Sequence, residues 1–268
     1  MAALVGLSIA GAASAGHADD VLAKVKSKGE LVVGTEMQFA PFDFLENGAQ
    51  VGLNADLFRE IGKELGVKVT FVDLPWDGVL PGLEAKKFDV VAGPVTITKE
   101  RMTRYQFTLP IADATVALLK RAGDDSVMKP KDIAGKAVGG GKSSAQLDQL
   151  KLFAETLPGK ADIREYVDNN QAYADLAAGR IVAVANSLPN ISYVAAQRPD
   201  TFAVVTPPFG QKVYFGYVGR PDEDSKTLMA AIDDALRKIE ADGRMEQIQK
   251  KWFGLKMDLP DSVPEPGF

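Results

Sequence analysis

An α/β fold in two lobes is what this sequence of 268 residues predicts. Short apolar strand patterns alternate with amphipathic helical ones, the alternation runs twice along the chain, and the length allows two units of about 100 to 150 residues each. The first series opens at Leu31-Val32-Val33, a short apolar strand. Asn54 is expected to cap a helix in which Leu57, Phe58, Ile61 and Leu65 recur at helical spacing and which Gly66 ends. Val67 to Val72 alternates at period two, a helix is expected around Val79 to Lys86, and Phe88 to Ala92 reads as a buried strand. This βαβαβ order implies a parallel sheet with helices on both faces.

The second series begins with a strand from Thr115 to Leu119. Ala137-Val138, a helix through Leu147, Leu150 and Leu157, a strand from Ile163 to Val167, a helix ending at Gly179 and a strand from Ile181 to Ala185 follow. After Phe202 to Val205, the strand Val213 to Val218 leads into a strongly amphipathic helix through Leu228, Met229, Ile232, Leu236 and Ile239. A last helix ends at Trp252-Phe253-Gly254, and the Pro-rich stretch from Leu259 to Phe268 is expected to be a surface extension.

Composition narrows the chemistry. The chain has no Cys and one His, His17. Residues 2 to 15 are apolar and uncharged and end in small residues, so residues 1–18 are expected to be an export signal, although no Lys or Arg precedes the run. Without imidazole or thiol beyond it, Ser-His and Cys-His nucleophile pairs and the usual zinc and copper ligand sets fall away, and no metal or cofactor is expected. The net charge of −5, with no basic run, gives no footprint for nucleic acid or an anionic membrane.

Ligands of parallel α/β sheets collect beyond the carboxyl ends of strands. Four strand-to-helix junctions carry suitable groups. Glu36 and Phe39 offer a carboxylate and an aromatic face just after the first strand. Trp76, expected in a turn, suits an apolar or cationic ligand group. Pro94 has no N–H to engage beside its carbonyl, Thr96 adds a hydroxyl, and Arg101 is a planar fork suited to a carboxylate. Gly139-Gly140-Gly141-Lys142-Ser143-Ser144-Ala145 opens a helix whose free N–H groups favour an anion. It is not a nucleotide P-loop, because the glycine required at position 136 is Lys.

With these junctions in order, the sequence resembles the periplasmic amino-acid-binding proteins of ABC importers, the family 3 solute-binding proteins. The residues that carry the likeness are Gly34-Thr35 to Pro41-Phe42, Gly52-Leu53-Asn54-Ala55-Asp56-Leu57, Phe88-Asp89-Val90-Val91, Thr96-Ile97-Thr98-Lys99-Glu100-Arg101 and Lys251-Trp252-Phe253-Gly254. The resemblance implies the two-lobed type II periplasmic-binding-protein fold, each lobe a sheet flanked by helices, joined by two hinge strands. Residues 28–114 plus 216–256 would form lobe 1, residues 119–211 lobe 2, and residues 257–268 a tail. It also implies a monomeric, non-catalytic periplasmic receptor that closes over a small carboxylate solute and delivers it to an inner-membrane permease and its ATPase.

By the same likeness Arg101 clamps the solute carboxylate with Thr96 and the Ser143-Ser144-Ala145 helix start. Phe39 and Trp76 sandwich the solute body, and the Pro94 carbonyl and Glu36 take its nitrogen. One departure stands out: many members end the strand at Asn186-Ser187 with an Asp that pairs with the solute's ammonium, and here Ser187 is expected in its place. Either Glu36 supplies the missing charge, or the solute has no ordinary primary amine, as in the ectoine- and opine-binding branches, with which some of these features are shared. A cyclohexadienyl dehydratase-like enzyme, with Glu36 or Lys142 as proton donor, is the catalytic alternative on the same scaffold.

Overall fold

The computed structural model describes residues 20–268, and the expected export signal, with His17, lies outside them. In chain order the elements are α1 (Val21–Lys28), β1 (Glu30–Thr35), β2 (Gln38–Phe39), β3 (Asp43–Glu46), β4 (Ala49–Val51), α2 (Leu53–Leu65), β5 (Lys68–Asp73), α3 (Trp76–Glu84), β6 (Val90–Thr96) and α4 (Lys99–Arg104). Then come β7 (Gln106–Phe107), β8 (Ala112–Asp113), β9 (Val116–Arg121), β10 (Ala137–Gly141), α5 (Ala145–Glu155), β11 (Asp162–Tyr166) and α6 (Asn169–Ala177). The chain finishes with β12 (Ala183–Ser187), α7 (Leu188–Gln197), β13 (Phe202–Val205), β14 (Tyr214–Gly219), α8 (Glu223–Ala241) and α9 (Arg244–Phe253).

The strands make two large sheets. One is ordered β5-β1-β6-β14-β7, with β8 also on β14; the other is β11-β10-β12-β9-β13. In each, three parallel strands supply the βαβ core, and the strands added to it run antiparallel. The chain leaves the first sheet after β8, builds the whole second sheet, and returns through β14. Strand ends on both sheets therefore converge where the crossing segments lie.

Helix α2 shows how sequence pattern becomes packing. Leu57, Phe58, Ile61 and Leu65 are buried on its inner face, and Gly66 ends it at φ 65°. The burial joins Leu31 and Val33 of β1 to Leu228, Ile232 and Ile239 of α8 in one apolar core. Asn54 is not the cap: the cap is Gly52, two residues earlier, at φ 131°. A side chain at Gly52 would meet the Phe42 carbonyl oxygen at 2.1 Å, so this entry to the helix excludes a Cβ. Asn54 is buried instead, donating to Asp43 Oδ2 at 2.6 Å and accepting from the Tyr217 hydroxyl at 2.9 Å.

Other features add to or depart from the sequence expectation. Trp76 opens α3 rather than sitting in a turn, and the helix closes at Glu84, two residues before Lys86, which lies at φ 58°. The small sheet β2-β3-β4, helix α1 and helix α7 lie outside the expected pattern. Helix α7 begins at Leu188 with Pro189 in its first turn, where the missing N–H costs nothing. The tail runs along the surface and is fastened to the body: Met257 N–H donates to Gln249 Oε1 at 2.9 Å, and the Lys99 N–H donates to the Phe268 oxygen at 2.8 Å. Among the described residues no helix is long and apolar enough to cross a membrane.

Candidate functional site

The strand ends of the two sheets line a cavity at the seam between them. One side presents Glu36, just past β1 of the first sheet, and Phe39 on β2 of the small sheet. Trp76, at the start of α3, and Pro94 and Thr96, on β6, complete that side with Phe215 of β14. Facing them are Ser144 in the turn before α5, Gln146 on α5 and Asn186 on β12.

The two sides hold each other directly. Gln146 Nε2 donates to Thr96 Oγ1 at 3.3 Å, and Lys142 Nζ lies 3.2 Å from Asp77 Oδ2. The Ser143 carbonyl accepts twice from the opposite side, from Trp76 Nε1 at 3.2 Å and from Arg101 Nη2 at 3.4 Å. Ser143 sits at φ 59°, the left-handed region, and this backbone turn is what aims its carbonyl across the seam. Asn190 Nδ2 donates to the Ala40 carbonyl on the far flank.

Not every expected residue faces the same space. Glu36, Phe39, Trp76, Pro94, Thr96, Ser144 and Asn186 line the enclosed cavity. Arg101, Ser143 and Ala145 line an adjoining cavity instead, with Trp76 forming part of both walls. The Arg101 guanidinium bonds the Thr96 carbonyl at 3.3 Å through Nη1 and lies 5.7 Å from the Trp76 ring centre. Burial pushes its pKa down. The Ser144 hydroxyl is committed to nearby backbone, accepting from Leu147 N–H of α5 at 3.1 Å and donating to the Gly141 carbonyl of β10 at 2.7 Å.

Ser187 lines neither cavity. Its side chain is fully buried with the hydroxyl unpartnered, and side chains alternate along a strand, so it is Asn186 that faces the cleft. The Asn186 amide is held from behind. Its Nδ2 donates to the Tyr173 hydroxyl at 3.0 Å and its Oδ1 accepts from Ser187 N–H at 2.8 Å. The Tyr173 hydroxyl in turn donates to Asn190.

Sequence reasoning did not reach Tyr166, Val167 and Asn169, which line the cavity from the β11–α6 junction. That junction is of the same strand-to-helix kind as the four chosen, so the signal was present. Phe215 had none, since it lies within an antiparallel strand whose neighbours are set by tertiary structure.

Electrostatically the cavity is short of positive charge. Glu36 is 5% exposed, and its Oε1 has no hydrogen-bond partner. Burial first, and then the carboxylates Asp168, Asp73, Asp43 and Asp77, push its pKa up to about 8. Asp43 behind it is pushed up to about 7, mainly by burial, against the hydrogen bonds from Asn54 and Gln50. Such a cleft is suited to a small solute with a positively charged nitrogen, held between aromatic faces.

Residues 31–255 match the bacterial extracellular solute-binding proteins, family 3. The chain belongs to that family. This solute-binding protein is 31% identical over 249 residues to the L-cystine-binding protein TcyJ of Escherichia coli strain K12, covering 92% of its own length and 91% of the relative's. Over 229 residues it is 31% identical to the lysine/arginine/ornithine-binding periplasmic protein of the same strain, covering 82% and 86%. Among solved structures it resembles an ancestral arginine-binding protein bound to arginine, with TM-score 0.77, 34% identity and 84% and 99% of the two chains covered. It also resembles the ancestral amino acid-binding protein AncCDT-1, a precursor of cyclohexadienyl dehydratase, with TM-score 0.78, 30% identity and 87% and 99% covered. The fold is that of the type II periplasmic binding proteins.

Proposed function

We propose that the protein is the extracytoplasmic receptor of an ABC importer for an amino acid, exported to the periplasm, monomeric, and serving an inner-membrane permease and its ATPase. The observation that carries this reading is the enclosed cavity at the seam, whose two walls are joined by hydrogen bonds that exist only when the lobes meet. The sheets support lobe 1 as residues 28–114 plus 216–256 and lobe 2 as residues 119–211, with the segments between β8 and β9 and between β13 and β14 as the hinge. A solute that contacts both walls favours the closed form through its differential contacts, and the permease reads that form.

In this reading Phe39 and Trp76 flank the solute body, while Thr96 and the N–H groups at the start of α5 receive its carboxylate. Arg101 completes the clamp by exchanging the Ser143 carbonyl for a carboxylate oxygen, a stronger acceptor. Glu36 and the Pro94 carbonyl take the nitrogen. The neutral side chain at the ammonium position is Asn186, not Ser187, and its amide is already spent on Tyr173 and Ser187, which leaves the charge to Glu36. The receptor reading assigns no catalytic step, and Lys142, one of the two expected proton donors, is engaged with Asp77.

A thermal-shift panel of amino acids, opines and compatible solutes tests the proposal. A solute at a hundred times its Kd adds about 2.7 kcal/mol of stability. Stabilisation by an amino acid is expected, and a flat response across the amino acids overturns the reading. Turnover of prephenate or arogenate would overturn the non-catalytic part alone.

A further inference from the structure

We propose that residues 257–268 form a strap that meets both hinge segments and ties lobe 1 to lobe 2, so that it limits how far the lobes swing apart. It goes beyond the receptor reading and rests on it only for the two lobes and their hinge.

Three fastenings hold the segment. At its start it sits where the first hinge segment leaves β8: the Asp113 N–H donates to Met257 Sδ at 3.4 Å, Met257 N–H donates to Gln249 Oε1 at 2.9 Å, and Gln249 Nε2 donates to the Ile111 carbonyl at 3.4 Å. At its far end it returns to lobe 1, where Lys99 N–H donates to the Phe268 oxygen at 2.8 Å. Met257 and Phe268 both pack against the apolar core that joins β1, α2 and α8. Just before the second of these anchors the strap meets the other hinge segment: a Cβ at Gly267 would lie 2.1 Å from Gln211 Oε1, so the strap runs directly against that side chain.

Gln211 is held from the lobe 2 side. Its backbone N–H donates to Gln149 Oε1 of α5 at 2.9 Å, and the neighbouring Gly210 N–H donates to the Val116 carbonyl of β9 at 3.1 Å. The strap is therefore anchored on lobe 1 at both ends and abuts, between them, a segment anchored on lobe 2. Phe268 also lines the cavity that adjoins the cleft, with Arg101 of α4 on one side and Ala145 and Asp148 of α5 on the other.

The composition of the segment suits this task. Pro260, Pro264 and Pro266 fix their own φ angles, so the strap is stiffer than an ordinary loop and loses less freedom on being held. Pro266 is buried beside the contact with Gln211. A stiff segment fixed to lobe 1 at both ends cannot follow Gln211 when lobe 2 rotates away. Opening must then break the contact with the second hinge segment or lift Phe268 from its core, a cost that two bare hinge strands would not carry. Each fastening is a single contact of modest strength, so the strap sets the amplitude of the motion without forbidding it.

The test needs no solute. Small-angle X-ray scattering and amide hydrogen exchange are measured on the wild-type protein and on a chain shortened to end at Asp258, which keeps the Met257 anchor and removes the crossing. The shortened chain should show a larger radius of gyration although mass has been removed, and the Ala114 and Gly210 amides of the hinge segments should exchange about five- to tenfold faster. Gln211→Ala keeps the whole strap and removes the side chain it lies against; it should move both readouts the same way by less, and it decides the matter if the shortened chain does not fold. An unchanged radius and unchanged hinge exchange overturn the inference, as does exchange that quickens evenly over the whole chain, which would mark a general loss of stability. The receptor reading is untouched by either result, since it stands or falls on solute binding by the wild-type protein.

Discussion

Replacing Asp43 by Asn should change how the stability of the protein depends on pH. Asp43 is 0% exposed, beneath the cleft, where it accepts from Asn54 Nδ2 at 2.6 Å and from Gln50 Nε2 at 3.2 Å. Burial raises its pKa from 3.8 to about 7. Between those two values the folded chain holds a proton that the unfolded chain has released, so stability falls as pH rises through this window and is level above it. A gap of about three pH units at about 1.36 kcal/mol each sets this loss at about 4 kcal/mol. The substitution is a mild one, because the Asn amide keeps an oxygen for Asn54 and only requires the Gln50 amide to turn over. Asp43→Asn should therefore gain about 2 to 4 kcal/mol relative to wild type on going from pH 4.5 to pH 8. Glu36 titrates in the same direction in both proteins and cancels in large part in the difference, since Asp43 raises its pKa less than burial, Asp168 and Asp73 do. Urea unfolding followed by circular dichroism at the two pH values measures it. A difference between the two proteins that stays constant within about 0.5 kcal/mol would show that Asp43 is ionised in the fold at neutral pH.

Three further substitutions probe the seam. Trp76→Ala removes an aromatic wall and the bond to the Ser143 carbonyl, and should weaken solute binding by about 2 kcal/mol, or about thirtyfold, in calorimetry; an unchanged Kd would remove Trp76 from the site. Ser143→Gly relieves the positive φ while keeping the carbonyl that spans the lobes, and should stabilise the fold by up to about 1 kcal/mol, seen as a melting temperature raised by about 2 °C; a lower one would refute the strain argument. Asn190→Ala leaves the Tyr173 hydroxyl without its acceptor and the Ala40 carbonyl without its donor, and should cost about 1 to 3 kcal/mol in urea unfolding; a neutral result would mean that water replaces both contacts.

Much of the architecture is legible in the sequence because it rests on local periodicity. The apolar spacing through Leu57, Phe58, Ile61 and Leu65 needs nothing beyond the helix itself, and Gly66 closes it by a backbone rule. Asn54 departs from expectation for the opposite reason. Its type suits a cap, but its partners Asp43 and Tyr217 come from other elements, the latter 163 residues away. The cleft shows the same division. Residue types at strand ends point to Glu36, Phe39, Trp76, Pro94 and Thr96, whereas which of Asn186 and Ser187 faces inward depends on strand phase, where a slip of one residue exchanges the faces. The Arg101 environment is beyond sequence altogether, since the carbonyl it meets belongs to Ser143 of the other lobe.

The contacts across the seam bear on how a solute can control closure. Most are single hydrogen bonds to neutral acceptors, each with a net worth of about 1 kcal/mol, and the Lys142–Asp77 pair is half exposed and contributes about 0 to 1 kcal/mol. Against them stand the positive φ of Ser143 and the burial of Glu36 without a partner, opposing terms of similar size. Both sets of terms are of the order of a few kcal/mol, so on the proposed receptor reading the direct contacts alone do not lock the two walls together. A ligand shifts an equilibrium between open and closed forms only by its differential affinity for the two. On the proposed receptor reading, a charged nitrogen at Glu36 would do so by adding an attraction found only where the two walls meet.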